Sequence, residues 1–275
     1  MENFYTLMIE MVACFTLYKQ TNKVCNTKKT SDNMEETKDK TAMQKTQIFN
    51  VIILDRSGSM LDIRQAAVDG FNETLAGIRK AQEKFADTQE HFVSLVTFCG
   101  CETRHVFDKV PVGETHLLSM KDYDPCCTTP LYDAMGFTLT GMHKHIKDME
   151  DVAVVVTIIT DGYENASKEY NGSSIKTLVE TLRKEGWTFT YMGANQDAMA
   201  VAMSMSIRNA RNFDYSSEGT RASMRKDSKT RMNFFSRLSQ MKNEAASCAE
   251  PMSKEERRGC YSRLADEAFD EEENK

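Results

Sequence analysis

Apolar residues in this chain fall into short continuous runs, and amphipathic stretches of helical length separate them. Residues 48–54 (IFNVIIL) have the unbroken, β-branched character of a strand buried on both faces, as in a parallel sheet. Residues 61–85 carry helical spacing, with Leu61, Ala67, Phe71, Leu75 and Ile78 on one side. Residues 92–98 (FVSLVTF) and 104–112 read as two strands. So few residues separate them, around Gly100, that they are expected to pair as an antiparallel hairpin at the sheet edge. A helix over 130–146 follows, with Pro130 suited to its first turn. Residues 152–160 (VAVVVTIIT) form the oiliest run. A helix over 174–184 stopped by Gly186, a strand over 187–192, a helix over 196–205 and a short strand over 212–215 complete the alternation. The pattern predicts an α/β fold with a doubly wound, mostly parallel sheet and one antiparallel edge strand.

The flanks differ. Residues 1–46 are expected to be an N-terminal extension and linker with little order, 47–216 the domain, and 217–275 a helical extension with an acidic tail. The apolar run over 4–18 contains Glu10 and is shorter than the roughly 20 residues that span a bilayer. No basic residue precedes it, so neither a signal peptide nor a membrane span is expected. Residues 21–47 are polar and rich in Lys and Thr, a linker composition. In the C-terminal part, Met224, Phe234, Phe235, Leu238 and Met241 form an apolar stripe for packing. From Ala245 onward the polar sequence is expected to fray.

A net charge of −6 and a pI near 5.5 argue against nucleic-acid binding, which needs a clustered basic surface. The locally basic segment 221–242 reads as a solvated helix face. Eight cysteines are too sparse in 275 residues for a disulfide scaffold. Cys99-x-Cys101 and Cys126-Cys127 could meet as a zinc site, but neither has the knuckle spacing that zinc prefers, and structural thiols are the simpler reading.

In a doubly wound sheet, ligands bind at the carboxyl ends of the strands. The first buried run ends in Asp55-Arg56-Ser57-Gly58-Ser59 and the oiliest in Asp161-Gly162, which puts two carboxylates and two hydroxyls on one rim. Hydroxyls and carboxylates without histidine or thiolate are hard donors that suit Mg²⁺ or Ca²⁺. Alternation at positions 55, 57 and 59 lets a tight loop turn successive oxygens inward.

Three motifs, Asp55-Arg56-Ser57-Gly58-Ser59-Met60, Thr129-Pro130-Leu131-Tyr132-Asp133 and Thr160-Asp161-Gly162, resemble in order and spacing the metal-ion-dependent adhesion site of von Willebrand factor type A domains. The resemblance covers about residues 47–215. It implies a metal site of Asp55, Ser57, Ser59, Thr129 and Asp161: Ser57 and Ser59 as direct ligands, the two aspartates direct or through water, and Thr129 from the middle loop. It implies Mg²⁺, with Mn²⁺ or Ca²⁺ also suited. The sixth position is then left for an Asp or Glu of a partner protein, so the implied activity is protein binding, not catalysis. Many relatives have glycines where this chain has Cys126-Cys127-Thr128, which stiffens the loop and leaves Thr128 as an alternative to Thr129. The stretch 191–197 is similar to small bacterial members of the family, from which a cytoplasmic location follows as an expectation.

An enzyme is the alternative. An Asp at the end of a buried strand with a later Asp-Gly also resembles Mg²⁺-dependent phosphohydrolases of the haloacid-dehalogenase type. That chemistry needs a second acid two residues on, and position 57 is Ser. Serine-nucleophile hydrolysis needs a placed base, yet His91, His105, His116, His143 and His145 carry no local signature. A structural role remains for Asp55 alone, since Asp and Ser also cap helices.

Overall fold

Burial on both faces is what makes β1 (Thr46–Asp55) a central strand, and it is flanked in parallel by β2 (Gln89–Phe98) and β4 (Val152–Thr160). The computed structural model describes residues 44–194, 197–213, 216–245 and 252–273. The apolar run 4–18, the expected linker as far as residue 43, Cys14, Cys25, Cys248, Asn195, Gln196 and Tyr215 lie outside these residues. Among the described residues the sheet has six strands in the order β3-β2-β1-β4-β5-β6, with β5 (Thr188–Ala194) and β6 (Asn209–Phe213) parallel to β4. β3 (Thr103–Pro111) runs antiparallel to β2 at the edge, as the short connection around Gly100 requires. The fold is therefore a doubly wound, mostly parallel α/β sheet with one antiparallel edge strand.

Helices cover both faces because successive β1 side chains point to opposite sides. Phe49, Val51 and Ile53 pack against residues of α2 (Leu131–Ile146), α3 (Gly172–Lys184) and α4 (Ala198–Ser204). Ile52 and Leu54 pack instead on α1 (Arg64–Lys84), whose Ala67, Phe71, Leu75 and Ile78 form the buried stripe. Leu61 does not belong to that stripe: it lies in a short 3₁₀ turn (Gly58–Leu61) and is 57% exposed, while its neighbour Met60 is buried. The chain is not yet α-helical there, so helical spacing does not govern which way Leu61 points.

On the same face lies α5 (Ser217–Ala245), which buries Met224 in the cluster of Ile52 and Leu54, and Phe234, Phe235 and Leu238 beside Ile48, Ala153 and Val155. Its basic residues are not a free patch. Arg221 pairs with Asp69, Arg225 with Glu73 at 3.0 Å, Arg237 with Glu267 at 2.9 Å, and Lys242 with Asp151. The expectation that residues beyond Ala245 fray is corrected: Lys254–Glu273 forms a helix, α6. Tyr261, Ala265, Ala268 and Phe269 recur at helical spacing and are buried, and Tyr261 Oη donates to Asp151 Oδ1 at 2.6 Å. This narrow stripe anchors a helix whose remaining positions are mostly charged. No helix of the described residues is long and apolar enough to cross a membrane.

Candidate metal centre

Three loops at the carboxyl ends of β1 and β4 and before α2 bring the five sequence-selected residues together. Asp55 closes β1 and is fully buried. Its Oδ1 accepts from the Ser57 N–H at 2.7 Å and its Oδ2 from Thr160 Oγ1 at 2.6 Å. The Ser57 and Ser59 hydroxyls lie 3.1 Å apart, and Ser59 Oγ donates to Asp161 Oδ1 at 2.6 Å. Gly162 shows how closely the oxygens converge. A Cβ built there would sit 3.1 Å from Thr129 Oγ1, 3.3 Å from Ser59 Oγ and 3.8 Å from Asp55 Oδ2. The small space over that residue is thus ringed by hydroxyl and carboxylate oxygen, and it opens to solvent beside the exposed Ser59.

Backbone bonds hold the loops in register. The Arg56 N–H donates to the Phe98 carbonyl at 2.7 Å, Gly58 N–H to Cys127 O at 3.0 Å, and Cys126 N–H to Arg56 O at 2.9 Å. Thr129 is clamped from both sides: its N–H donates to Asn165 Oδ1 at 2.9 Å and its carbonyl accepts from the Asn165 N–H at 3.1 Å. This places Thr129, buried, in the ring. Thr128 is exposed, and its carbonyl accepts from the Gly100 N–H at 2.8 Å. Cys127 adopts φ 63°, a left-handed conformation that favours glycine. The backbone therefore keeps a glycine-like turn at a position where the chain has cysteine.

Three supports escaped sequence reasoning. Thr160 steadies the Asp55 carboxylate, and its place just before Asp161-Gly162 was an available signal. Tyr123 is buried and its hydroxyl donates to the Asp55 carbonyl. Asn165 holds Thr129. Nothing local marks either of these last two, because each acts across the fold.

Burial pushes Asp55 up to about 6, with hydrogen bonds from Thr160 and Ser57 opposing the rise and the charge of Asp161 adding to it. The nearest cation along the chain turns away: the Arg56 guanidinium bonds Glu102 Oε1 at 2.8 Å and the Asp124 carbonyl at 3.0 Å. A buried carboxylate beside a second one, with hydroxyls as near neighbours, is a donor set suited to a small hard cation.

Glu164 and four of the five histidines have other partners. Glu164 caps α2 and its own loop, accepting from the N–H groups of Tyr132, Ala166 and Ser167 at 2.7–2.8 Å. Buried His91 lies between Asn50 and Gln89, and burial pushes it down to about 3. His143 bonds Glu185 at 3.0 Å, His145 and His116 stand edge-on to Phe49 and Phe107, and His105 lies on β3.

Gly162 supplies a direct test of the cradle. Gly162→Ala is expected to leave the metal-free fold intact and, if a cation is held here, to weaken its binding by about tenfold or more, since the added methyl crowds the Thr129 and Ser59 hydroxyls. Titration of Mn²⁺ against both proteins, with far-ultraviolet circular dichroism to confirm folding, reads the difference. Equal affinities would show that these oxygens do not share an ion.

No protein-family model and no curated protein matches the chain. Among solved structures it is similar to a von Willebrand factor type A protein from Catenulispora acidiphila, with 14% identity, a TM-score of 0.49, and 68% of this chain and 43% of that one covered. It is also similar to proximal thread matrix protein 1 from the mussel byssus, solved with a zinc-occupied MIDAS motif, at 15% identity and a TM-score of 0.48, covering 68% and 46%. A third is the manganese-loaded TRAP protein of Plasmodium vivax, at 14% identity and a TM-score of 0.43, covering 62% and 69%. The chain spans less than half the length of the first two.

Proposed function

We propose that this chain is a metal-dependent protein-binding module of the von Willebrand factor A type, and not an enzyme. The convergence of hydroxyl and carboxylate oxygens around Gly162 carries this reading. Ser57, Ser59 and Thr129 would hold Mg²⁺ through their hydroxyls, with Asp55 and Asp161 bound directly or through water; Mn²⁺ or Ca²⁺ would also suit these donors. When bound, the ion supplies a positive coordination position for an outside carboxylate. Three of the five donors are neutral, and where the two aspartates act through water the ion's own shell would carry no negative charge. That leaves it able to engage an Asp or Glu of a partner protein.

The surroundings suit a docking role. Leu61 and Tyr163, 57% and 60% exposed, directly follow the Ser59-Met60 and Asp161-Gly162 segments. Large apolar side chains beside a buried charge are a common anatomy for a binding patch. The intramolecular pairing of Arg221, Arg225, Arg237 and Lys242 leaves little of the basic segment for a polyanion. A cytoplasmic location belongs to the same proposal and rests on the sequence resemblance alone.

The test is capture from native lysate with Mg²⁺ or with chelator, using wild type, Thr129→Ala and Tyr163→Ala. A partner held only with Mg²⁺ is expected, lost in Thr129→Ala and weakened at least severalfold in Tyr163→Ala. Tyr163→Ala should bind metal normally. Retention that ignores both the chelator and Thr129→Ala would sink the proposal, and Mg²⁺-dependent phosphate release abolished by Asp55→Ala would favour the phosphohydrolase.

A further inference from the structure

Beside the oxygen ring lies a second cluster of opposite chemical character. Cys99 and Cys101 sit where β2 turns into β3, and Cys126 and Cys127 in the loop that leads to Thr129. The fold brings the two pairs together across 26 or more residues of chain. Cys99 Sγ lies 3.4 Å from Cys126 Sγ, and Cys101 Sγ lies 2.7 Å from Cys127 Sγ. The sulfurs of Cys99, Cys101 and Cys126 are all within 4.8 Å of one another. In a tetrahedral zinc thiolate with Zn–S bonds of about 2.3 Å, neighbouring sulfurs stand roughly 3.7 Å apart. The 3.4 and 2.7 Å separations are both shorter than that value, so a bound ion would spread the sulfurs, and Cys127, outside the group of three, reaches it through Cys101.

The polar groups around Cys99 suit a thiolate there, whereas the neighbouring Cys99 sulfur pushes the Cys126 thiol up to about 12, a repulsion that a shared cation would relieve. The backbone N–H groups of Cys101 and Glu102 favour the Cys99 thiolate. The Arg56 guanidinium, itself 4% exposed, donates from Nη2 to Cys99 Sγ at 3.3 Å and lies with Nη1 3.9 Å from Cys126 Sγ. Four thiolates around one Zn²⁺ carry two net negative charges, and a buried guanidinium with directed N–H donors offsets part of them. Such outer donors are what tune and orient metal ligands. Cys127 also keeps its left-handed backbone where glycine would be unstrained, which a requirement for its sulfur explains.

We propose that Cys99, Cys101, Cys126 and Cys127 form a second metal site, a tetrathiolate centre for Zn²⁺, distinct from the oxygen site. Binding releases the four thiol protons to water and requires no redox step. Soft sulfur and hard oxygen select different metals, so the two centres can fill independently. The site pins the β2–β3 turn to the loop that carries Thr129. Sequence reasoning set zinc aside because each pair alone lacks knuckle spacing; the hairpin supplies the missing pairing.

The test uses the full chain, purified without tags that bind metal, under reducing conditions and without chelator. Elemental analysis is expected to give one zinc per chain in wild type, in Asp161→Asn and in the control Cys260→Ser. Loss of zinc is expected in Cys101→Ser/Cys127→Ser, whose altered side chains are exposed and leave the core untouched. Cobalt added to metal-free wild type should give thiolate-to-metal charge-transfer absorption, a readout that needs no variant. Wild type lacking both zinc and the cobalt–thiolate bands would overturn the site. Zinc content unchanged in the double variant, or a native Cys101–Cys127 disulfide found by peptide mapping, would do the same.

Discussion

Asp55→Asn is expected to stabilise the metal-free protein by about 2–3 kcal/mol at pH 7.5 and to abolish the rise in Tm that Mg²⁺ or Mn²⁺ gives wild type. The first half follows from burial. The Asp55 carboxyl rises from 3.8 to about 6 on folding, and a shift of that size corresponds to roughly 3 kcal/mol. Because the folded value lies above the unfolded one, the folded state holds the proton more tightly. Stability from this group is fully present below about pH 4 and lost as pH rises through about 6. Metal-free wild type should therefore lose stability across that window, and Asp55→Asn should not. A cation at the rim competes with that proton, so the metal-dependent gain in wild type should be small at pH 5 and full at pH 7.5. Thermal melts at both pH values, with and without Mn²⁺, read all four conditions. A variant less stable than metal-free wild type at pH 7.5 would show that Asp55 is held by structure and not poised for a ligand.

The second large effect concerns the helix that covers the other end of the sheet. On α5, Arg231 Nε donates to Asp227 Oδ2 at 2.6 Å, and both side chains are at most 3% exposed. Arg231 also bonds Thr157 Oγ1 on β4. Asp227→Ala leaves a guanidinium buried without its counter-charge, which costs about 3–5 kcal/mol. For a domain of this size the Tm should fall on the order of 10 °C. Asp227→Leu combined with Arg231→Met removes both charges and is expected to recover most of the loss, since a buried pair is often replaceable by apolar side chains. A double variant as unstable as the single one would assign the cost to packing.

How much of this was legible depended on whether the signal was local. The strands were readable because parallel strands buried on both faces are written as unbroken apolar runs, and 152–160 matched β4 residue for residue. Asp55, Ser57, Ser59 and Asp161 stood out because they close or directly follow the buried apolar runs, whereas Thr129 was reached only through the resemblance of its motif. Arg231 was not: inside a basic segment it looks like any solvated charge, and its burial follows from the position of Thr157, 74 residues away. The helix Lys254–Glu273 was missed because acidic and basic residues outnumber its four buried anchors. Tyr123 depends on loop-to-loop approach, which no window of sequence contains; the two thiol pairs were visible as a possible zinc site, but their spacing alone argued against it.

The central claim is that Asp55, Ser57, Ser59, Thr129 and Asp161 hold one divalent cation. Calorimetric titration of Mn²⁺ into the metal-free chain, with Ser59→Ala and Asp161→Asn alongside, addresses it most directly. The account predicts saturable binding of one ion per chain in wild type, sharply weakened in both variants while their circular dichroism is unchanged. Wild type that binds no Mn²⁺, or variants that bind it as tightly, would contradict it.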